Sequence, residues 1–164
     1  MDPTRYDVVI VGGGAAGLSA ATTLGRALRS VLVIDSGTPR NAPAAGVHGY
    51  LSRDGMDPGE LLSVGRREVL SYGGTVIDGE AVSARRTPEG FDVILGDARR
   101  FSGRRLLVTT GLTDGLPPID GLREQWGKGV VHCPYCHGWE IRGQRIGVLG
   151  TGPLSVHQAL LFRQ

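Results

Sequence analysis

The sequence predicts an α/β fold: a parallel sheet with an inserted antiparallel β-meander, followed by the start of a second unit of the same kind. Three observations predict it. Residues 8–11 and 31–34 are short, continuous apolar runs, as expected of parallel strands buried on both faces. Between them, residues 15–28 are rich in alanine and leucine and free of proline, so they read as the helix of a right-handed βαβ crossover. Residues 145–149 are another apolar strand, and Gly150-Thr151-Gly152-Pro153-Leu154-Ser155 turns into a helix over 156–164, which begins the opening pattern again.

The remaining elements follow in order. Residues 39–57 carry prolines, glycines and polar side chains and read as a loop. A helix is expected over 58–72, with Asp57 as N-cap, Pro58 at its first position and Gly73-Gly74 as its stop. Residues 75–86, 91–95 and 99–110 are β-rich, separated by the turns Thr87-Pro88-Glu89-Gly90 and Gly96-Asp97, and form the meander. Residues 111–129, with Pro117-Pro118, read as a linker. The domain division is thus 1–115 for the first nucleotide-type domain, and 116–164 for the linker, the cysteine segment and the first strand, turn and helix of a second.

Composition narrows the function classes. With 164 residues and 40% apolar content the chain can build a core of ordinary size. A net charge of +2, with arginines scattered in pairs such as Arg66-Arg67 and Arg104-Arg105, reads as solvated surface rather than a nucleic-acid patch. No apolar run reaches the roughly 18 residues of a membrane span. Little sequence precedes the first strand, so no signal peptide is expected, and the expected compartment is cytoplasmic. Cys133 and Cys136 are the only cysteines, which suits redox or metal chemistry better than a disulfide scaffold.

Two motifs carry chemistry. Gly12, Gly14 and Gly17 in Gly12-Gly13-Gly14-Ala15-Ala16-Gly17 fit G-x-G-x-x-G after a strand. The first glycine permits the tight turn, the second lets a pyrophosphate approach the backbone, and the third allows close helix packing. The helix N-terminus stabilises phosphate charge. Asp35 ends the second strand, where an acid accepts hydrogen bonds from a ribose hydroxyl and favours FAD or NAD over NADP. The fingerprint alone does not choose between FAD and NAD.

Cys133-Pro134-Tyr135-Cys136 admits three chemistries. As a redox pair, Pro134 starts a helix whose N-terminal field raises the thiolate fraction. As a zinc site, His132, Cys133, Cys136 and His137 offer four donors, though adjacent residues converge poorly on one tetrahedral ion. As Cys133-x-x-Cys136-His137 it also matches a haem-attachment string. The neighbouring nucleotide fingerprint favours redox. His132 and His137 can each move a proton in thiol–disulfide exchange. His48 and His157 have no such context, and Trp126 and Trp139 are expected to pack.

With both motifs in place, the chain resembles the low-molecular-weight thioredoxin reductase family of pyridine nucleotide-disulfide oxidoreductases. The resemblance runs from Tyr6 to the end and adds Thr109-Thr110-Gly111, similar to the family's A-T-G flavin segment, and Gly150-Thr151-Gly152, similar to its NADPH-side turn. It implies FAD at the first site and NADPH, with an incomplete site, at Gly150 and Gly152. Electrons would pass from NAD(P)H to FAD to the dithiol and on to a thioredoxin-like protein or a small-molecule disulfide. By resemblance, Cys136 is the flavin-proximal thiol and Cys133 attacks the substrate. Gly12, Gly14, Ala15, Ala16, Gly17, Asp35, Arg40, Asn41, Thr110 and Gly111 belong to the flavin site. The family is homodimeric.

Two departures stand out. An aspartate usually follows the second cysteine in this family; here it is His137, within Cys133-Pro134-Tyr135-Cys136-His137-Gly138-Trp139-Glu140. That variant is similar to the branch containing small-molecule dithiol oxidases, in which a histidine before the first cysteine, here His132, is a proposed base. The second departure is length: family members are about twice as long, and an inactive FAD-binding fragment is the alternative to an enzyme.

Overall fold

The computed structural model describes residues 5–163. The chain forms two compact units: the stretch ending at Ala42 together with Pro58–Gly115, and Pro43–Asp57 together with the stretch beginning at Leu116.

The first unit is built on one six-stranded sheet, β1 (Arg5–Val11), β2 (Val31–Asp35), β3 (Thr75–Asp78), β4 (Ala81–Thr87), β5 (Gly90–Leu95) and β6 (Arg100–Val108), in the order β3-β2-β1-β6-β5-β4. The strands β3, β2, β1 and β6 run parallel, and β6, β5 and β4 run antiparallel. Side chains alternate between the two faces of a strand, so each apolar run feeds two cores. On one face Ile10, Val31 and Val33 pack with Leu18 and Ala21 of α1 (Ala15–Arg26) and Val69 of α2 (Pro58–Ser71). On the other, Val9, Leu32 and Ile34 pack with Val93 and Leu95 of β5. The antiparallel strands thus fold over the face that the helices leave free, which explains why β1 and β2 read as continuous apolar runs.

The helix ends follow the local chemistry. The α2 helix starts at Pro58 and closes at Gly73, which adopts φ +76°, while the Gly74 N–H donates to the Val69 carbonyl. The α1 helix ends at Arg26, whose guanidinium lies over the Tyr72 ring and donates to its hydroxyl at 2.7 Å.

Two expectations about the strands of the first unit are corrected. Residues 75–86 are not one strand, because Gly79 turns the chain: its N–H donates to the Asp35 carbonyl, and a Cβ there would lie 2.7 Å from Leu95 Cδ1. The piece before the turn joins the parallel sheet beside β2; the piece after it pairs with β5 at the opposite edge. The meander also shares β6 with the parallel sheet, since Ser102 and Gly103 pair with both β5 and β1.

The second unit contains three short helices, α3 (Leu122–Gln125), α4 (Pro134–His137) and α5 (Leu154–Phe162). The helix α3 lies within the stretch expected to be linker. In the loop 43–57 the Val47 N–H donates to the Met56 carbonyl and the Gly55 N–H to the Val47 carbonyl. The expected strand 145–149 does not form. A strand is held by ladder bonds to a neighbour, and among the described residues none is placed beside it; Ile146, Val148 and Leu149 are exposed. The helix that follows does form, from Leu154 rather than 156; its expected end at 164 lies outside the described residues.

Candidate functional site: a glycine turn and a vicinal dithiol

The β1–α1 turn is shaped by close contacts on two sides. Gly12 adopts φ +108°, and a Cβ there would lie 2.3 Å from the Thr109 carbonyl oxygen. A Cβ on Gly17 would lie 1.9 Å from the Gly12 carbonyl oxygen. Gly14, by contrast, has nothing within 4 Å of its Cβ position. Gly14 is the N-cap of α1, with no side-chain capping bond and no acidic residue in the first turn of the helix. The leading amides around Gly14, Ala15 and Ala16 therefore sit beside open space, with Ala15 and Ala16 exposed. A helix start with an open approach, no side-chain cap and no acidic residue in its own first turn fits an anionic diphosphate.

Thr109 holds this turn in place. Its hydroxyl donates to the carbonyls of Gly12 at 2.8 Å and Val11 at 3.1 Å, and its N–H donates to the Val11 carbonyl at 2.8 Å. Thr110 and Gly111 continue from it, exposed, with Gly111 at φ +66°. The resemblance covers Thr109-Thr110-Gly111 and assigns Thr110 and Gly111 to the flavin site; the residue that fixes the geometry of the turn is Thr109.

Asp35 sits beside the turn with its side chain 14% exposed. One oxygen accepts the Gly13 N–H at 3.2 Å, and the other is paired with Arg66 of α2. The same guanidinium reaches Asp78 at 3.0 Å. Burial alone would lower the Arg66 pKa, but the hydrogen bonds to Asp78 and Asp35 outweigh it and hold the guanidinium above its ordinary value. Arg66 is thus not the solvated surface residue that its pairing with Arg67 suggests, and only its neighbours across the sheet reveal this. Arg104 does fit the surface reading, its side chain 61% exposed beside Asp7.

Arg40 is engaged by Asp114 through two parallel bonds of 2.7 Å, a fork that ties the loop after β2 to the segment after β6. Asn41 is exposed beside it. Asp114 carries no sequence signal, because its partner lies 74 positions away.

The dithiol lies in the second unit. Cys133 and Cys136 are not joined in a disulfide; Cys133 is half-buried and Cys136 exposed. Cys133 is the N-cap of α4, Pro134 takes the first helical turn, and the Cys133 carbonyl accepts the N–H groups of Cys136 at 3.3 Å and His137 at 3.2 Å. The helix runs for only 4 residues, so it supplies the field of one turn and not that of a full helix. Gly138 closes it, its N–H donating to the Pro134 carbonyl at 2.7 Å. His132 is exposed. His137 is half-buried, and its Nδ1 is buried with no hydrogen-bond partner. Among the described residues, no three histidine, cysteine or acidic side chains converge on a point that could hold a metal ion.

Around these residues, His48 lies between Asp54 and Glu140, 3.6 Å from each. Trp139 is 72% exposed rather than packed; its ring carries the Arg142 guanidinium at 4.0 Å. In the turn at Gly150 and Gly152, the N–H groups of Thr151 and Gly152 both point at Ser155 Oγ, at 3.0 and 3.4 Å.

The first unit is therefore a Rossmann-like α/β fold, and the second carries a vicinal dithiol. Comparison with known proteins gives the family. Residues 6–164 match the pyridine nucleotide-disulphide oxidoreductase family model, and the chain belongs to that family, among its thioredoxin reductase-like members. It is 38% identical over 159 residues to thioredoxin reductase tcpT of Claviceps purpurea, an alignment covering 94% of this chain and 50% of that protein. The crystal structure of HlmI superposes with a TM-score of 0.93 at 52% identity, over 97% of this chain and 51% of that one. An oxidoreductase from Agrobacterium tumefaciens gives a TM-score of 0.90 at 42% identity, over 98% of this chain and 55% of that one. The chain spans about half or less of the length of curated relatives it matches, 38% of one and 50% of another.

Proposed function

We propose that this chain is the FAD-binding and dithiol-bearing part of a thioredoxin reductase-like oxidoreductase, in which electrons pass from NAD(P)H to FAD to Cys133 and Cys136. The observation that carries this reading is the start of α1 beside Gly14, with no side-chain cap and no acidic residue in its first turn, in a chain that also holds a vicinal dithiol. Residues 1–115 form the FAD-binding domain, and 116–164 the linker, the redox segment and the start of an NAD(P)H-binding domain at Gly150 and Gly152. Gly12, Gly14, Ala15, Ala16, Gly17 and Asp35 hold the adenosine diphosphate half of the cofactor. Thr110, Gly111, Arg40 and Asn41 lie on the segments that follow β6 and β2. FAD, once bound, supplies two-electron exchange with the dithiol.

The chain's own chemistry is thiol–disulfide exchange. The Cys133 thiolate attacks a substrate disulfide, forming a mixed disulfide and releasing one substrate thiolate, which takes up a proton. The Cys136 thiolate then attacks the Cys133 sulfur, releasing the second substrate thiol and leaving a Cys133–Cys136 disulfide. His132 and His137 hold and return the two protons. The substrate is a thioredoxin-like protein or a small-molecule disulfide, in a cytoplasmic homodimer.

A second reading runs the same exchange in reverse, with a small-molecule dithiol as substrate and oxygen as terminal acceptor. The two histidines flanking the cysteines favour it. One experiment separates the readings. The purified chain is loaded with FAD and desalted, its visible spectrum is recorded, and a small dithiol is then added in air without NADPH. Retained flavin bands support the cofactor site. Peroxide formation supports the oxidase reading, and its absence the reductase. A colourless protein overturns FAD binding by this chain and leaves the fragment reading.

A further inference from the structure

We propose that Arg66 is a positioning residue for the nucleotide, holding Asp35 in the orientation that presents a free acceptor to a ribose hydroxyl. The inference rests on the reading of the glycine turn and Asp35 as a nucleotide site. Asp35 and Asp78 are register partners at the C-terminal ends of the adjacent parallel strands β2 and β3, so the backbone sets two carboxylates side by side. Left alone, like charges at that spacing repel, and the more mobile group turns away. The Arg66 guanidinium stands between them, one nitrogen on Asp35 Oδ2 and another on Asp78 Oδ1. The Gly13 N–H fixes the other oxygen of Asp35.

Each oxygen of Asp35 is therefore held by one donor, and an ionised carboxylate has lone pairs to spare for a further one. The two acids are not equivalent. The Asp35 side chain is 14% exposed and that of Asp78 83%, so the inner acid is fixed and the outer one serves as counterweight. A purely structural tie between α2 and the sheet, or a general electrostatic effect on phosphate, would act alike on any adenine nucleotide. Orientation of Asp35 acts only on nucleotides that carry the hydroxyl it accepts from, the 2′-hydroxyl in this geometry.

The test titrates the full chain with ADP and with 2′-deoxy-ADP, followed by NMR chemical shifts. The wild-type chain is expected to prefer ADP. Arg66→Met weakens ADP by about tenfold, the scale of one charge-assisted hydrogen bond, and removes the preference over 2′-deoxy-ADP. Arg66→Lys keeps the charge but not the fork, and reduces the preference in part. In an Asp35→Asn background, Arg66→Met leaves the ratio unchanged. Equal weakening of both nucleotides, or a ratio that Arg66→Met does not move, overturns the proposal while leaving the nucleotide site standing. A wild-type chain that binds neither overturns both. If Arg66→Met does not fold, the Arg66→Lys ratio decides: an unchanged preference overturns the proposal.

Discussion

Gly14 and Gly17 belong to one motif and answer to different constraints. A Cβ at position 17 would collide with the Gly12 carbonyl at 1.9 Å, whereas one at position 14 would enter open space. Gly17→Ala is expected to lower unfolding stability by about 3 kcal/mol or more, in the range of severe backbone clashes. Gly14→Ala should stay within about 1 kcal/mol of the parent in a denaturant titration, yet lose bound nucleotide, because the added methyl occupies the approach to the amides. At this scale the glycines and Asp35 were legible in sequence, since their spacing follows from local turn geometry. The latching role of Thr109, the pairing of Asp114 and the role of Arg66 were not. Each acts through a partner brought near by the sheet, and Arg66 beside Arg67 looks like any exposed basic pair.

The element scale shows where periodicity is a sufficient guide and where it is not. The strands β1 and β2 were legible because both faces are buried, and α1 and α2 because proline and glycine bound them. The run 75–86 has the composition of a single strand; Gly79 divides it for reasons that lie in Leu95 and Asp35. The run 145–149 has the composition of a strand and, among the described residues, no neighbour to make it one. Charge also acts between elements. At the start of β1, the Asp7 carboxyl is held below its ordinary pKa, first by the Ser30 backbone N–H at 3.0 Å, then by the Ser30 hydroxyl at 3.1 Å. A depressed folded-state pKa means stabilisation present above the unfolded value and lost as pH falls through the folded one. Asp7→Asn should therefore flatten the acid limb of the stability curve, the gap from the parent closing below the ordinary carboxylate range. Denaturant midpoints measured from pH 7 to pH 3 check this.

For the whole molecule, burial is unevenly shared. Among the described residues, every buried hydrophobic core residue but Leu122 lies in the first unit. Leu154, Val156 and Leu160 of α5 are exposed, as are Ile146, Val148 and Leu149. Amide hydrogen exchange is expected to be slowest in β1 and β2 and fastest in 145–149, with α5 nearer the fast end. Protection of 145–149 equal to that of β1 would contradict this account of where the core lies. No helix among the described residues is long and apolar enough to cross a membrane.

The double membership of β6 makes the first unit a single mechanical object. One unbroken strand takes its register from the β5 hairpin at Phe101–Gly103 and hands it to β1 as far as Val108, and the next residue is Thr109, the latch of the glycine turn. A shift of one position inverts every side chain on a strand. A deletion of one residue near Gly103, at the far end from any ligand, would thus swing the Thr109 hydroxyl to the wrong side and unfasten the turn, as a slipped tooth at one end of a rack misplaces the pinion at the other.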